Sequence, residues 1–146
     1  MEFLKSKTYQ NIVNSYRGEI SGSILYKLLE KKAQEENYKN LAIIFEQFSL
    51  EEEGHGNILK QFIKEDISKY ELSLFEIDNL KNMVQSTIQN LHIFSQGEKK
   101  AGEETYVVYS KIAKEEGYDN ISKIFLDLAK LEIKHGLRLE EELNNI

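Results

Sequence analysis

Two glutamate–histidine pairs carry most of the chemistry available to this chain. Glu52 stands three residues before His55 in LEEEGHG (50–56), and Glu132 stands three before His135 in LEIKHG (131–136). On a helix, residues at i and i+3 share one face, about 5–6 Å apart. Each pair can therefore grip one metal ion through a carboxylate oxygen and an imidazole nitrogen. One such pair alone would read as a solvated helix face. Here there are two, 80 residues apart, and both fall on apolar stripes.

The stripes place these polar groups in the core. One runs Leu41, Ile44, Phe45, Phe48, Glu52, His55, Leu59, Phe62; the other runs Ile121, Ile124, Phe125, Leu128, Glu132, His135, Leu139, Leu143. Glu19 sits between Ile12 and Tyr26 in the same way. Glu98 sits between Leu91 and Phe94 on one side and Tyr109 and Ile112 on the other. Four ionised carboxylates in one apolar interior cost several kcal/mol each, even after relaxation. Two divalent cations neutralise them. Two helices giving one glutamate each, with two giving Glu-x-x-His, is the pattern of di-iron and di-manganese carboxylate sites. Oxygen and imidazole donors without sulfur suit iron or manganese. The expected ligands are Glu19, Glu52, His55, Glu98, Glu132 and His135.

Four helices must position them. The 3.6-residue period predicts helices over about 8–35, 38–66, 87–116 and 118–143, the third stopped by Gly117. Residues 67–86 form a long crossover, in which Ser73-x-x-Glu76 matches a capping box and predicts a short helix. Short connections make two antiparallel hairpins, so the fold class is all-α: a four-helix bundle of the ferritin-like kind, one domain over 1–146. The halves repeat. Ala33, Glu35, Glu36, Tyr38, Asn40, Ile44 and Phe45 correspond, 80 residues on, to Ala113, Glu115, Glu116, Tyr118, Asn120, Ile124 and Phe125. Such a repeat predicts a pseudo-two-fold site built between the halves.

Glycines and tyrosines surround the expected ligands. Gly18 and Gly97 precede Glu19 and Glu98, Gly54 and Gly56 flank His55, Gly136 follows His135, and Gly22 and Gly102 lie a turn beyond the lone glutamates. Thin side chains there leave room for close helix approach or for a small oxidant. Tyr26 follows Glu19 by seven residues, whereas Tyr106 follows Glu98 by eight. A π-bulge between Glu98 and Tyr106 would absorb the extra residue. Both tyrosines are placed to hydrogen-bond ligating carboxylates. His92 has no matching partner and reads as a surface or satisfied residue.

Composition excludes other classes. The chain has no cysteine, so disulfides, thiolate metal sites and thiol nucleophiles are excluded. A net charge of −6 without a basic patch argues against nucleic acid. No apolar run approaches a membrane span of roughly 18 residues. The N-terminus lacks a secretion-signal plan, so a cytoplasmic location is expected.

Nearly the whole chain resembles the rubrerythrin family. YRGEISGSILY (16–26) is similar to the first-helix motif of that family, IFEQFSLEEEGHG (44–56) to the second, and NLHIFSQGE (90–98) with TYVVYSKIAKEEGYDNISKIF (105–125) and LEIKHG to the remainder. The resemblance implies a non-haem di-iron oxidoreductase, a peroxidase reducing hydrogen peroxide to water in oxidative-stress defence, with the six residues above as iron ligands. Family members commonly carry a four-cysteine rubredoxin-type domain. None is present here, so electrons are expected from a separate protein such as a rubredoxin. The family usually has a further glutamate three residues after the third-helix ligand; here it is Ala101. His55 is then expected to stay bound in both redox states, as in bacterioferritin-type sites, with Glu103 and Glu104 the nearest alternative carboxylates. Two other readings remain: a ferroxidase that handles iron and uses oxygen, and a metal-binding scaffold without turnover. A homodimer is expected, and the crossover permits exchange of hairpins between subunits.

Overall fold

The absence of proline leaves helix termination to caps and left-handed residues. The structure, a computed structural model, describes residues 2–146 and contains no strand among them. Its helices are α1 (Lys7–Glu35), α2 (Lys39–Lys60), α3 (Leu74–Met83), α4 (Thr87–Lys100), a π-helix (Ala101–Tyr106), α5 (Val107–Glu115) and α6 (Asp119–Asn144). Single 3-10 turns occupy Phe3–Lys5 and Ile67–Tyr70. The chain divides into two compact units. One is Ile12–Asn90; the other is the chain up to Asn11 together with Leu91–Ile146.

The helical hairpin in each unit turns in the same way. Asn37 (φ 66°) ends α1 and Gly117 (φ 88°) ends α5, both in the left-handed region. In each turn a tyrosine N–H reaches back to an alanine carbonyl, Tyr38 to Ala33 and Tyr118 to Ala113, both at 2.8 Å. Asn37 N–H donates to Gln34 O and Gly117 N–H to Lys114 O, both at 3.1 Å. These are Schellman stops. Glycine is the expected residue there. Asparagine does the same job because its short polar side chain tolerates the left-handed region.

The second helix stops at Lys60, short of the expected end near Asp66. Phe62 N–H bonds Leu59 O at 3.0 Å and Ile63 N–H bonds Lys60 O at 3.1 Å, so the last turn tightens and then unwinds. Asp66 belongs to the next element: its side chain accepts from Ser68 N–H and starts the 3-10 turn. The crossover does hold a helix, α3, with the Ser73–Glu76 capping box formed. Arg17 of α1 grips that box. Its guanidinium donates to both Glu76 oxygens, at 2.7 and 2.8 Å, and to Tyr70 O at 3.2 Å.

Each unit also caps a helix start with a carboxylate from a hairpin turn. Glu116 accepts from Thr8 N–H at 2.8 Å, Thr8 Oγ1 at 2.5 Å and Lys7 N–H at 3.2 Å, covering the first turn of α1. Glu36, its repeat counterpart, accepts from Thr87 N–H at 2.6 Å at the start of α4. These donors are orphans at any helix N-terminus, and negative charge there is favoured. Hydrogen bonds from Thr8, the hydroxyl first, hold Glu116 below the ordinary carboxylate value, and those from Thr87 do the same for Glu36.

A depressed carboxylate contributes stability above its unfolded pKa, 4.5, and loses it as the pH falls through the folded value. The variant Glu36→Gln/Glu116→Gln should therefore melt below the parent near neutral pH, with the two melting temperatures converging under acid conditions. Thermal melts across a pH series measure this. A gap that persists unchanged into acid would show that the two carboxylates act only through packing.

Candidate metal centre

In the unit Ile12–Asn90, one turn of α1 faces one turn of α2. Glu19 and Glu52 are only 2% and 3% exposed, and His55 is buried beside them. One ligand atom from each lies within 4.8 Å of the others. His55 Nδ1 is 3.7 Å from Glu19 Oε2. Reciprocal glycines bring the helices this close. A Cβ on Gly22 would stand 3.2 Å from Glu52 Oε2, and one on Gly56 would stand 3.2 Å from Ile20 Cδ1 and 3.7 Å from Glu19 Cβ. Each glutamate thus nests over the glycine of the opposite helix.

The other unit repeats the plan with Glu98 on α4 and Glu132 and His135 on α6. Their ligand atoms again converge within 4.8 Å. Glu132 and His135 are buried; Glu98 is half-buried, more open than its stripe position implied. It lies near the end of α4, where the π-helix begins three residues later. The glycines are tighter here. A Cβ on Gly102 would meet Ala129 O at 2.5 Å and Ile133 Cγ1 at 2.7 Å, and one on Gly136 would meet Lys99 Cγ at 2.7 Å and Ser95 O at 2.8 Å. Lys99 runs over Gly136 and pairs with Glu140 at 2.5 Å.

Not every glycine near a ligand serves close approach. Gly18, Gly54 and Gly97 are exposed, and a Cβ at any of them would meet nothing within 4 Å. Each precedes its stripe residue by one position, about a quarter turn to the solvent side, whereas Gly56 and Gly136 follow theirs and turn toward the facing helix.

The expected π-bulge is present as the π-helix Ala101–Tyr106. Its effect shows in the aromatic rings. Tyr26 stacks on Phe45 at 6.1 Å and 25°, and Tyr106 stacks on Phe125 at 5.9 Å and 26°. Phe45 and Phe125 are repeat partners, so the extra residue is absorbed before Tyr106 and the register is restored. Without it Tyr106 would turn roughly 100° off the stripe. Ala101 is half-buried, and Glu103 and Glu104 are exposed on the π-helix, outside the converging trio. His92 is exposed, as its unmatched position suggested.

The donor set fits a divalent metal of intermediate hardness: carboxylate oxygens with one imidazole in each trio, no sulfur, in a setting where an uncompensated charge is costly. A helical protein with such carboxylate–histidine clusters at repeat-related positions falls in the class of ferritin-like di-iron carboxylate proteins. The model of the rubrerythrin family matches residues 10–143, and the chain belongs to that family. It is 26% identical to a rubrerythrin of Clostridium perfringens over its whole length, covering 75% of that protein. It is 25% identical to one of Porphyromonas gingivalis over 91% of this chain and 64% of that one. A third relative, the rubrerythrin of Nitratidesulfovibrio vulgaris, is 26% identical over all of this chain and 74% of its own. Among solved structures, symerythrin from Cyanophora paradoxa, reduced with dithionite, superposes with a TM-score of 0.84 at 20% identity over 95% of this chain and 84% of that one. That similarity carries the fold. The family is a di-iron, oxidoreductase-type one. No helix among the described residues is long and apolar enough to cross a membrane.

The glycine contacts make a graded prediction. Gly102→Ala should destabilise by about 1–3 kcal/mol, because the new methyl meets backbone that cannot move aside. Gly54→Ala, with open space and a helical backbone, should stabilise by up to about 1 kcal/mol. Urea unfolding of the two variants measures both, and equal effects would contradict the packing described.

Proposed function

We propose that the two trios, Glu19–Glu52–His55 and Glu98–Glu132–His135, together hold two iron ions, with manganese as the alternative metal, and that the protein reduces hydrogen peroxide with electrons from a separate redox protein. The observation that carries this reading is the convergence of a glutamate–glutamate–histidine trio in each unit, all of its members buried except the half-buried Glu98. When bound, the metal pair supplies the redox chemistry, two electrons for each peroxide reduced to two waters.

The chain's own residues set the conditions. Four glutamates offset the charge of two divalent ions. His55 and His135 offer neutral nitrogen donors that leave that balance intact. Phe45, Leu59, Phe125 and Leu139, all fully buried, lie two turns either side of Glu52 and Glu132 on the same stripes, and we assign them to keeping bulk water from the carboxylates. Tyr26 and Tyr106 sit on their phenylalanine partners about two turns beyond the lone glutamates, and we assign their hydroxyls to positioning ligating carboxylates. With Ala101 three residues after Glu98, where the family usually has another glutamate, each trio offers the same donors, and His55 is read as a permanent ligand.

No cysteine occurs in these 146 residues, so no four-thiolate electron-transfer iron lies within them. The proposed reading takes its electrons from outside these residues, from a donor of the rubredoxin type. The ferroxidase reading differs in the oxidant, and the scaffold reading in having no turnover.

Anaerobic reconstitution should load two ferrous ions per chain and raise the melting temperature, whereas Glu52→Ala/Glu132→Ala should bind neither ion. Stopped-flow mixing of the loaded, reduced protein with peroxide should give fast oxidation, and mixing with oxygen a slow one. The reverse order would favour iron oxidation as the function, and no reaction with either would leave a scaffold.

A further inference from the structure

The repeat supplies an internal comparison of the segments that lead into the two lone glutamates. On α1, Asn11, Ser15 and Glu19 stand four residues apart, and so do their counterparts on α4, Asn90, Phe94 and Glu98. Residues at that spacing share a helix face, one turn apart. The α1 line runs inward: Asn11 is half-buried, Ser15 is 5% exposed and Glu19 is 2% exposed.

The two lines treat their polar groups differently. Asn90 is closed by its own chain. Gln85 N–H donates to its Oδ1 at 2.8 Å, and its Nδ2 donates to Gln85 O at 3.1 Å. Phe94 fills the next turn with a buried apolar ring. On α1, Asn11 Nδ2 and Ser15 Oγ are both enclosed, and neither meets a protein partner. The other buried serines, Ser6, Ser23, Ser49, Ser95, Ser110 and Ser122, all bond to a carbonyl or to another serine. A buried polar group without a partner costs about 1–3 kcal/mol. Two of them, one turn apart on one face, are about 5–6 Å apart at their Cβ atoms. A bridging water fits such a gap and satisfies both.

We propose that Asn11 and Ser15 hold a line of ordered water that enters at Asn11 and ends at Glu19, and that this line delivers protons to the Glu19 end of the centre. Proton delivery rests on the peroxide reading given above. Reducing one peroxide breaks its O–O bond, takes two electrons from two ferrous ions and two protons from solvent, and releases two waters. The protons must reach an enclosed site. A serine hydroxyl donates and accepts at once, so Ser15 passes a proton along the line, and the Asn11 amide anchors the outer water. Both act through water, as positioning residues. The other lone glutamate has no such need. Glu98 is half-buried and meets solvent itself, and there the repeat places Phe94 where α1 has Ser15.

A crystal structure of the metal-loaded full chain tests the water. Ordered water should lie within hydrogen-bond distance of both Ser15 Oγ and Asn11 Nδ2. Stopped-flow oxidation tests the delivery. Ser15→Val and Ser15→Thr add nearly the same volume and differ in the hydroxyl. With two ferrous ions loaded in each, Ser15→Val should react with peroxide at least about tenfold more slowly than the parent, and Ser15→Thr should stay close to it. Asn11→Leu, at the half-buried end, should slow the reaction too, whatever the packing at position 15. A dry Ser15, equal rates for Ser15→Val and Ser15→Thr, or a parental rate for Asn11→Leu would each overturn the proposal and leave the peroxide reading standing. If the parent reacts with oxygen and not with peroxide, that reading fails alone. The same comparison run with oxygen then decides the water line, because reducing oxygen to peroxide also takes up two protons. A parent that reacts with neither oxidant overturns both.

Discussion

Burying carboxylates in an apolar interior is the constraint on which the rest of this structure depends. Moving one ionised carboxylate from water into such a setting costs several kcal/mol after relaxation, a large fraction of the net stability of a domain. Glu19, Glu52 and Glu132 are nonetheless almost completely enclosed. The proposed cation-binding role would resolve that conflict, and it would also account for the helix sequences around the glutamates. Glycine in a helix interior costs about 1 kcal/mol relative to alanine. At Gly102 and Gly136 that cost accompanies contacts too close for any side chain, and at Gly22 and Gly56 it accompanies tight contacts with the side chains of Glu52 and Ile20. The local rule is broken where ligand-bearing helices must press together.

The two units show which features follow from that constraint. Both keep the trio, the reciprocal glycines, the Schellman stop and the tyrosine stacked on phenylalanine. Other features drift, even within a turn of the trio. Ser23 meets Ser49 at 3.2 Å in one unit and Ser110 meets Ser122 at 2.9 Å in the other, at positions that are not repeat partners. Both pairs satisfy buried hydroxyls, so the requirement is general while its location is free. Ile20, packed over Gly56, stands where the other unit has Lys99 over Gly136, and only the second is tied by an ion pair.

Much of this was legible in the sequence because periodicity encodes it. The apolar stripes locate Glu52, His55, Glu132 and His135, and the seven-versus-eight residue count locates the π-helix. Other features were not legible. The end of α2 was placed too late because no capping residue marks it: the helix frays through tight turns at Phe62 and Ile63, and an apolar residue continues the stripe to Phe62. The caps by Glu36 and Glu116 join residues 51 and 108 apart in sequence, and nothing in the local pattern of either glutamate distinguishes it from a solvated one. Gly54 and Gly56 look alike beside His55, yet one is exposed and the other presses on Ile20. A rotation of two residues separates them, and only the position of the facing helix gives that rotation its meaning.

The π-helix shows how the trio constrains its surroundings asymmetrically. Both tyrosines must reach the same phenylalanine position, but one helix covers the distance in seven residues and the other in eight. An α-helical α4 could meet the phenylalanine only by shifting Glu98 or by losing a residue. Widening one turn keeps both ends in place. It also brings Gly102 against the backbone of α6 at Ala129, a closer contact than Gly22 makes with the Glu52 side chain. The wide turn and the tightest glycine contact therefore occur together. A turn that bulges toward its neighbour must be thin where it touches, and glycine is the residue that allows both.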